Sequence, residues 1–157
     1  MGLMFFPDLQ LAVNEMFRVC REGGKVAICV WAAPESNDWS TTMTQVLSKY
    51  IETPKPSADA PGMFRCAKPG LVKQLFENAG FKNIKEKTVS GKLDFGDAEN
   101  YWLNRTEMSE ATISSLNRVD EATRKKIKDE LLAYCNSKLT NGKLIMHYAS
   151  LIISAEK

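Results

Sequence analysis

The stretch Phe5–Pro34, FFPDLQLAVNEMFRVCREGGKVAICVWAAP, decides the fold, because it holds one complete helix, its stop signal and one apolar strand. Asp8 can accept a hydrogen bond from a first-turn amide and carries the charge that suits a helix N-terminus, so a helix starts there. Leu9, Ala12, Val13, Met16, Phe17 and Cys20 recur at helical spacing, while Gln10, Asn14, Arg18 and Arg21 lie off that stripe. One face of the helix is therefore buried. Gly23 and Gly24 are expected to end it through positive φ, with Arg18 and Arg21 near the negative end of the dipole. Val26 to Trp31 then runs without alternation, the pattern of a strand covered on both faces.

Outward from this stretch the totals describe an ordinary globular chain: 157 residues, 44% hydrophobic and 25% charged, enough to bury a core. A net charge of +2 with interspersed signs gives no electrostatic footprint for nucleic acid. No apolar run approaches the ~20 residues that span a bilayer, and MGLMFF has neither the basic region nor the length of a signal peptide. No membrane partner and a cytoplasmic location are expected. Cys20, Cys29, Cys66 and Cys135 are widely spaced with no CxxC pair, which predicts reduced core thiols and no metal site.

Between Ala33 and Lys68 the composition shifts to Pro34, Ser36, Asn37, Pro54, Pro56, Pro61 and Gly62, around a helical interlude from about Trp39 to Ile51. This predicts a lid-like loop and helix over 33–68 within a single domain of residues 1–157. Pro69 is expected in the first turn of a helix that buries Leu71, Val72, Leu75, Phe76 and Ala79, ends at Gly80 and packs Phe81 back against itself. Asn83 to Ser90 reads as a polar edge strand. A helical insertion over 97–140 follows, opened in turn by Asp97, Ser109 and Asp120, the last helix running to about Lys138. Its Arg124, Lys125, Lys126 and Lys128 read as a solvated face. Asn141-Gly142 signals a turn, and Lys143 to Ala155 reads as the last strand.

Two pieces, GLMFFPDLQLAVNEMFRVCREGGKVAICVWAAPESNDW and FRCAKPGLVKQLFENAGFKNIKEKTV, together resemble the second half of class I S-adenosylmethionine-dependent methyltransferases, of the small-molecule, quinone-biosynthesis-like type. The ending YASLIISAEK resembles their seventh strand. The resemblance implies an α/β fold: a partial Rossmann-like sheet in the order 5-7-6, its last strand antiparallel, with flanking helices. It also implies S-adenosylmethionine as cofactor and a small-molecule methyl acceptor. Gly2, Leu3, Met4 and Phe5 would then lie beside the cofactor, and Trp31, Phe64 and Arg65 on the acceptor side; packing of an N-terminal segment, of a core aromatic or of a loop is an equally good reading of each.

The chain departs from that family in lacking any GxGxxG or GxGxG turn. The resemblance therefore covers a C-terminal half that is not expected to hold the cofactor alone. The first strand would have an open edge, which invites a second copy or another chain. No catalytic residue is assigned, since methyl transfer from a sulfonium depends mainly on alignment. His147 and Glu15 read as structural. A non-catalytic binding or assembly module remains the alternative function.

Overall fold

The computed structural model describes residues 1–52 and 59–157. Pro54 and Pro56 of the expected lid-like loop lie outside the described residues. The elements follow the chain as α1 (Leu9–Val19), β1 (Lys25–Trp31), α2 (Asp38–Leu47), α3 (Leu71–Ala79), β2 (Lys82–Asp94), α4 (Ala98–Met108), α5 (Glu110–Leu116), α6 (Glu121–Ser137) and β3 (Ile145–Glu156). The sheet order is β1-β3-β2, with β1 antiparallel to β3 in the register Val26↔Ala155, Ile28↔Ile153, Val30↔Leu151. In family terms this is 5-7-6 with the seventh strand reversed, the order the resemblance implied. The last strand of the chain thus lies between two earlier ones.

The described residues form two compact units, one of residues 1–36, 59–91 and 149–157, the other of residues 37–52 and 92–148. In the first, Asp8 caps α1 by accepting from the Leu11 amide at 2.8 Å. Leu3, Met4, Ala12, Val13, Val30, Val72, Phe76, Phe81, Leu151 and Ile153 form its core. The end of α3 follows the sequence expectation closely: Gly80 takes φ +98°, the Phe81 amide bonds the Phe76 carbonyl at 3.1 Å, and the Phe81 ring stacks on Phe76 with centroids 4.9 Å apart. Only a residue free of Cβ strain adopts that backbone readily, and the reversal it allows delivers Phe81 to the core.

Three expectations fail in this unit. Pro69 does not enter the first turn of α3, because Gly70, at φ +80°, is the cap and the helix begins at Leu71. Gly23-Gly24 does not end α1: the backbone already turns extended at Cys20, and the glycines shape the turn into β1. A Cβ on Gly24 would meet the Arg21 carbonyl oxygen and the Cys20 Sγ at 2.7 Å, so close approach, not helix capping, explains a glycine there. The third correction concerns β1, which is not covered on both faces. Val26, Ile28 and Val30 face the core with their partners on β3, whereas Ala27 is exposed, Cys29 is half-buried and its register partner Ile152 keeps 38% of its surface. Among the described residues only one face has a full packing layer, which a run of apolar residues cannot reveal.

In the second unit Asp97, Ser109 and Asp120 cap α4, α5 and α6, each through a side-chain oxygen that accepts from the amide three residues on. Met43, Val46, Leu47, Tyr101, Trp102, Ile127, Leu131, Cys135 and Leu144 make the core. The Asn141-Gly142 turn has positive φ at both positions, as a tight reversal between Thr140 and Lys143 requires.

Candidate functional site

In the first unit the structure brings the N-terminal segment against the loop before α3. Leu3–Phe5 is a short 3-10 turn with Leu3 and Met4 buried and Phe5 56% exposed. The Met4 carbonyl accepts from the Gly62 amide at 3.1 Å. Arg65 donates to the Phe6 carbonyl and, at 3.1 Å, to the Pro7 carbonyl. The N-terminal segment and the loop before α3, far apart in sequence, are thus joined through Met4–Gly62 and through Arg65 with Phe6 and Pro7. Arg65 spends donors on backbone carbonyls, which fixes the segment, and no carboxylate among the described residues pairs with its guanidinium. Trp31 ends β1 opposite Ser150, half-buried.

Beside this segment lies a cavity of about 450 Å³ lined by Met1, Gly2, Leu3, Phe6, Met16, Ala27, Ile28, Cys29 and Ile152. Its side chains are entirely apolar. S-adenosylmethionine presents a sulfonium, a zwitterionic amino acid and two ribose hydroxyls, groups that need a carboxylate and a cradle of amides. An apolar wall meets only the adenine part, so the side chains lining this cavity do not fit the cofactor's polar groups.

The edge of β1 adds a second feature. In an antiparallel pair, alternate residues direct their backbone groups to the partner and away from it. The Ala32 amide bonds the Ala149 carbonyl and the Lys157 amide bonds the Gly24 carbonyl, which puts Val26, Ile28 and Val30 in phase with β3. Ala27 and Cys29 point theirs the other way, to an edge where no strand lies among the described residues.

The second unit gathers polar groups that the sequence reading did not single out. Asn37, Ser40, Thr42, Arg105 and Thr112 are buried there. Tyr101 donates from its hydroxyl to the Trp39 carbonyl at 2.9 Å, and burial pushes its ionisation far above the ordinary phenol range. Arg105 lies with its guanidinium 5.1 Å from the Trp39 ring centre. The Asp38 carboxylate accepts from the His147 backbone amide and lies 3.3 Å from its Nδ1. His147 is exposed and tied to one carboxylate. A larger cavity, about 910 Å³, lies among α4, α5 and α6, with Trp102, Ile113 and Leu116 as its apolar wall and Arg124, Lys125 and Lys128 among its polar lining. Each of these cations has a partner: Arg124 with Asn117, Lys125 with Asp129 and Lys128 with Glu99.

A signal for Arg105 was present in the sequence. Ala98, Tyr101, Trp102 and Arg105 fall at i, i+3, i+4 and i+7, so α4 places an arginine on its own apolar stripe. Among the described residues no cluster of His, Cys, Asp and Glu could hold a metal, and no helix is long and apolar enough to cross a membrane. The four cysteines are free thiols. Cys66 and Cys135 are buried; burial raises both, Cys135 to about 11.

No family model matches the chain. Among curated proteins it is similar to the methyltransferase ktnA of Aspergillus niger, 28% identical over 118 residues, which is 73% of this chain and 35% of that protein. Among solved structures it is similar to a methyltransferase-type protein of Bacillus halodurans C-125, with a TM-score of 0.50, 18% identity, and coverage of 100% of this chain and 66% of the other. The YcgJ protein of Bacillus subtilis gives a TM-score of 0.51 at 13% identity, covering 99% of this chain and 60% of that one. The chain thus spans about a third of the curated relative and less than two thirds or so of the solved folds. The solved structures share this chain's fold, and the curated relative is a methyltransferase, the class that the GG-strand and AGF pieces resemble.

Proposed function

We propose that this chain is the acceptor-side part of an S-adenosylmethionine-dependent methyltransferase acting on a small molecule. The cofactor's polar groups would be held by residues outside these 157, joined along the β1 edge. The observation that carries this reading is a methyltransferase-type sheet in the order β1-β3-β2 whose β1 edge and outer face lack a covering layer among the described residues. In it, Gly2, Leu3, Met4 and Phe5 border the cofactor side, and Trp31, Phe64 and Arg65 the acceptor side. The chain's own contribution is orientation: the Arg65 bonds to the Phe6 and Pro7 carbonyls hold one wall in register with the other.

The apolar lining of the cavity beside Gly2 favours a second reading, a non-catalytic module that uses the same edge for assembly, with a second copy or another chain as partner. Calorimetry with S-adenosylmethionine separates the two. The chain alone is expected to give no binding heat at millimolar cofactor. A fusion that places the glycine-rich half of a class I methyltransferase ahead of Met1 is expected to bind in the micromolar range. A folded fusion that does not bind would leave the assembly reading.

A further inference from the structure

A buried arginine normally meets a carboxylate, because desolvating a guanidinium is costly unless a counter-charge and full hydrogen bonding offset it. Arg105 departs from this rule. It keeps only 7% of its surface, its Nε is enclosed with no hydrogen-bond acceptor, and no carboxylate among the described residues pairs with it. Two aromatic groups lie beside it: Trp39, its ring centre 5.1 Å away, and Tyr101, one helical turn back on α4. Tyr101 stays neutral and has committed its hydroxyl proton to the Trp39 carbonyl. Asp38, the neighbouring carboxylate on α2, is engaged by His147. Desolvation lowers the affinity of Arg105 for its own proton, and of its neighbours only the Tyr101 hydroxyl acts in the other direction.

This arrangement differs from the surface cations of the same unit. Lys49, Lys125, Lys128 and Lys143 each have an acidic partner within 4 Å, and each is far more exposed. A lone guanidinium held against an indole presents what a planar anion needs: several N–H donors in a fork, a low local dielectric, and an aromatic plane for an adjoining apolar body.

We propose that Arg105 is the receptor for a carboxylate group of a small-molecule ligand that binds at the Trp39–Tyr101–Arg105 cluster. That this ligand is the methyl acceptor rests on the function proposed above; the recognition of a carboxylate does not.

The test measures binding without methyl transfer, so its failure and that of the methyltransferase reading can be told apart. Succinate and benzoate, with succinamide and benzamide as neutral counterparts, are titrated into the chain at fixed ionic strength. Tryptophan fluorescence and the melting temperature are followed. At least one acid is expected to bind saturably and raise the melting temperature, with its amide at least tenfold weaker. Arg105→Met removes the charge and keeps the volume of the stem, so it is expected to lose acid binding at least tenfold while melting no lower than the parent. If it fails to fold, Arg105→Gln and the acid-against-amide comparison on the parent carry the test. Acids and amides that bind equally, no saturable binding by either acid, or a folded Arg105 variant that keeps acid binding would each overturn the proposal.

Discussion

The two units solve the same problem with different materials. The first buries an almost wholly apolar core, in which Ser150 is the one buried polar residue among those described; the second encloses Asn37, Ser40, Thr42, Arg105 and Thr112 beside its apolar cluster. Buried polar groups cost stability unless each is satisfied, and they restrict the packing to arrangements that satisfy them. The first unit therefore has the character of a scaffold. The second has the character of a site, and its unpaired arginine is the sharpest instance.

The largest effects should come from the cores, and they should be local. Phe76→Ala removes a fully buried ring stacked on Phe81 and is expected to cost about 3–5 kcal/mol, read by urea unfolding. Leu131→Ala in α6 is expected to cost about 2–5 kcal/mol. Each unit contains one buried thiol, Cys66 in the first and Cys135 in the second, and both are held protonated by burial. Labelling with iodoacetamide under native conditions should accelerate mainly at Cys66 in Phe76→Ala and mainly at Cys135 in Leu131→Ala. Equal acceleration at both thiols in both variants would show one cooperative core in place of two.

A smaller effect is expected at the end of α3. Gly80→Ala forces a side chain into the left-handed region and puts a Cβ 3.3 Å from the Phe17 ring, which should cost about 1–2 kcal/mol in the same urea assay. Unchanged stability would mean that the Gly80 turn relaxes without disturbing Phe81.

The smallest effect concerns a surface network of the second unit. Glu130 accepts from Lys49 and, at 2.7 Å, from Tyr50, and these bonds hold its carboxyl below the usual carboxylate range. A depressed folded pKa contributes stability that is present above the unfolded value and lost as pH falls through the folded one. Glu130→Gln should thus be slightly less stable than the parent at neutral pH, and the two thermal melting curves should converge in acid. A difference that persists or grows in acid would contradict this origin.

What the sequence revealed follows the same division. Helix caps at Asp8, Asp97, Ser109 and Asp120 are contacts between an oxygen and an amide three residues away, so local reading finds them. The sheet order followed from family likeness in the GG-strand and AGF pieces, since nothing local tells β1 that its neighbour is the last strand of the chain. The errors have one physical source. Whether Ala27 and Cys29 are covered, and whether Gly24 caps a helix or avoids the Arg21 carbonyl, depends on atoms the local pattern does not contain. Arg105 was missed for the opposite reason: its periodicity was legible, but a charge on an apolar stripe becomes informative only once its partners can be counted.

Amide hydrogen exchange along β1 tests the open edge most directly. In the chain alone, shown to be a monomer by light scattering at the same concentration, Val26, Ile28 and Val30 should be strongly protected by β3, while Ala27 and Cys29 exchange at least a hundredfold faster. Equal protection at all five amides in that monomer would contradict it.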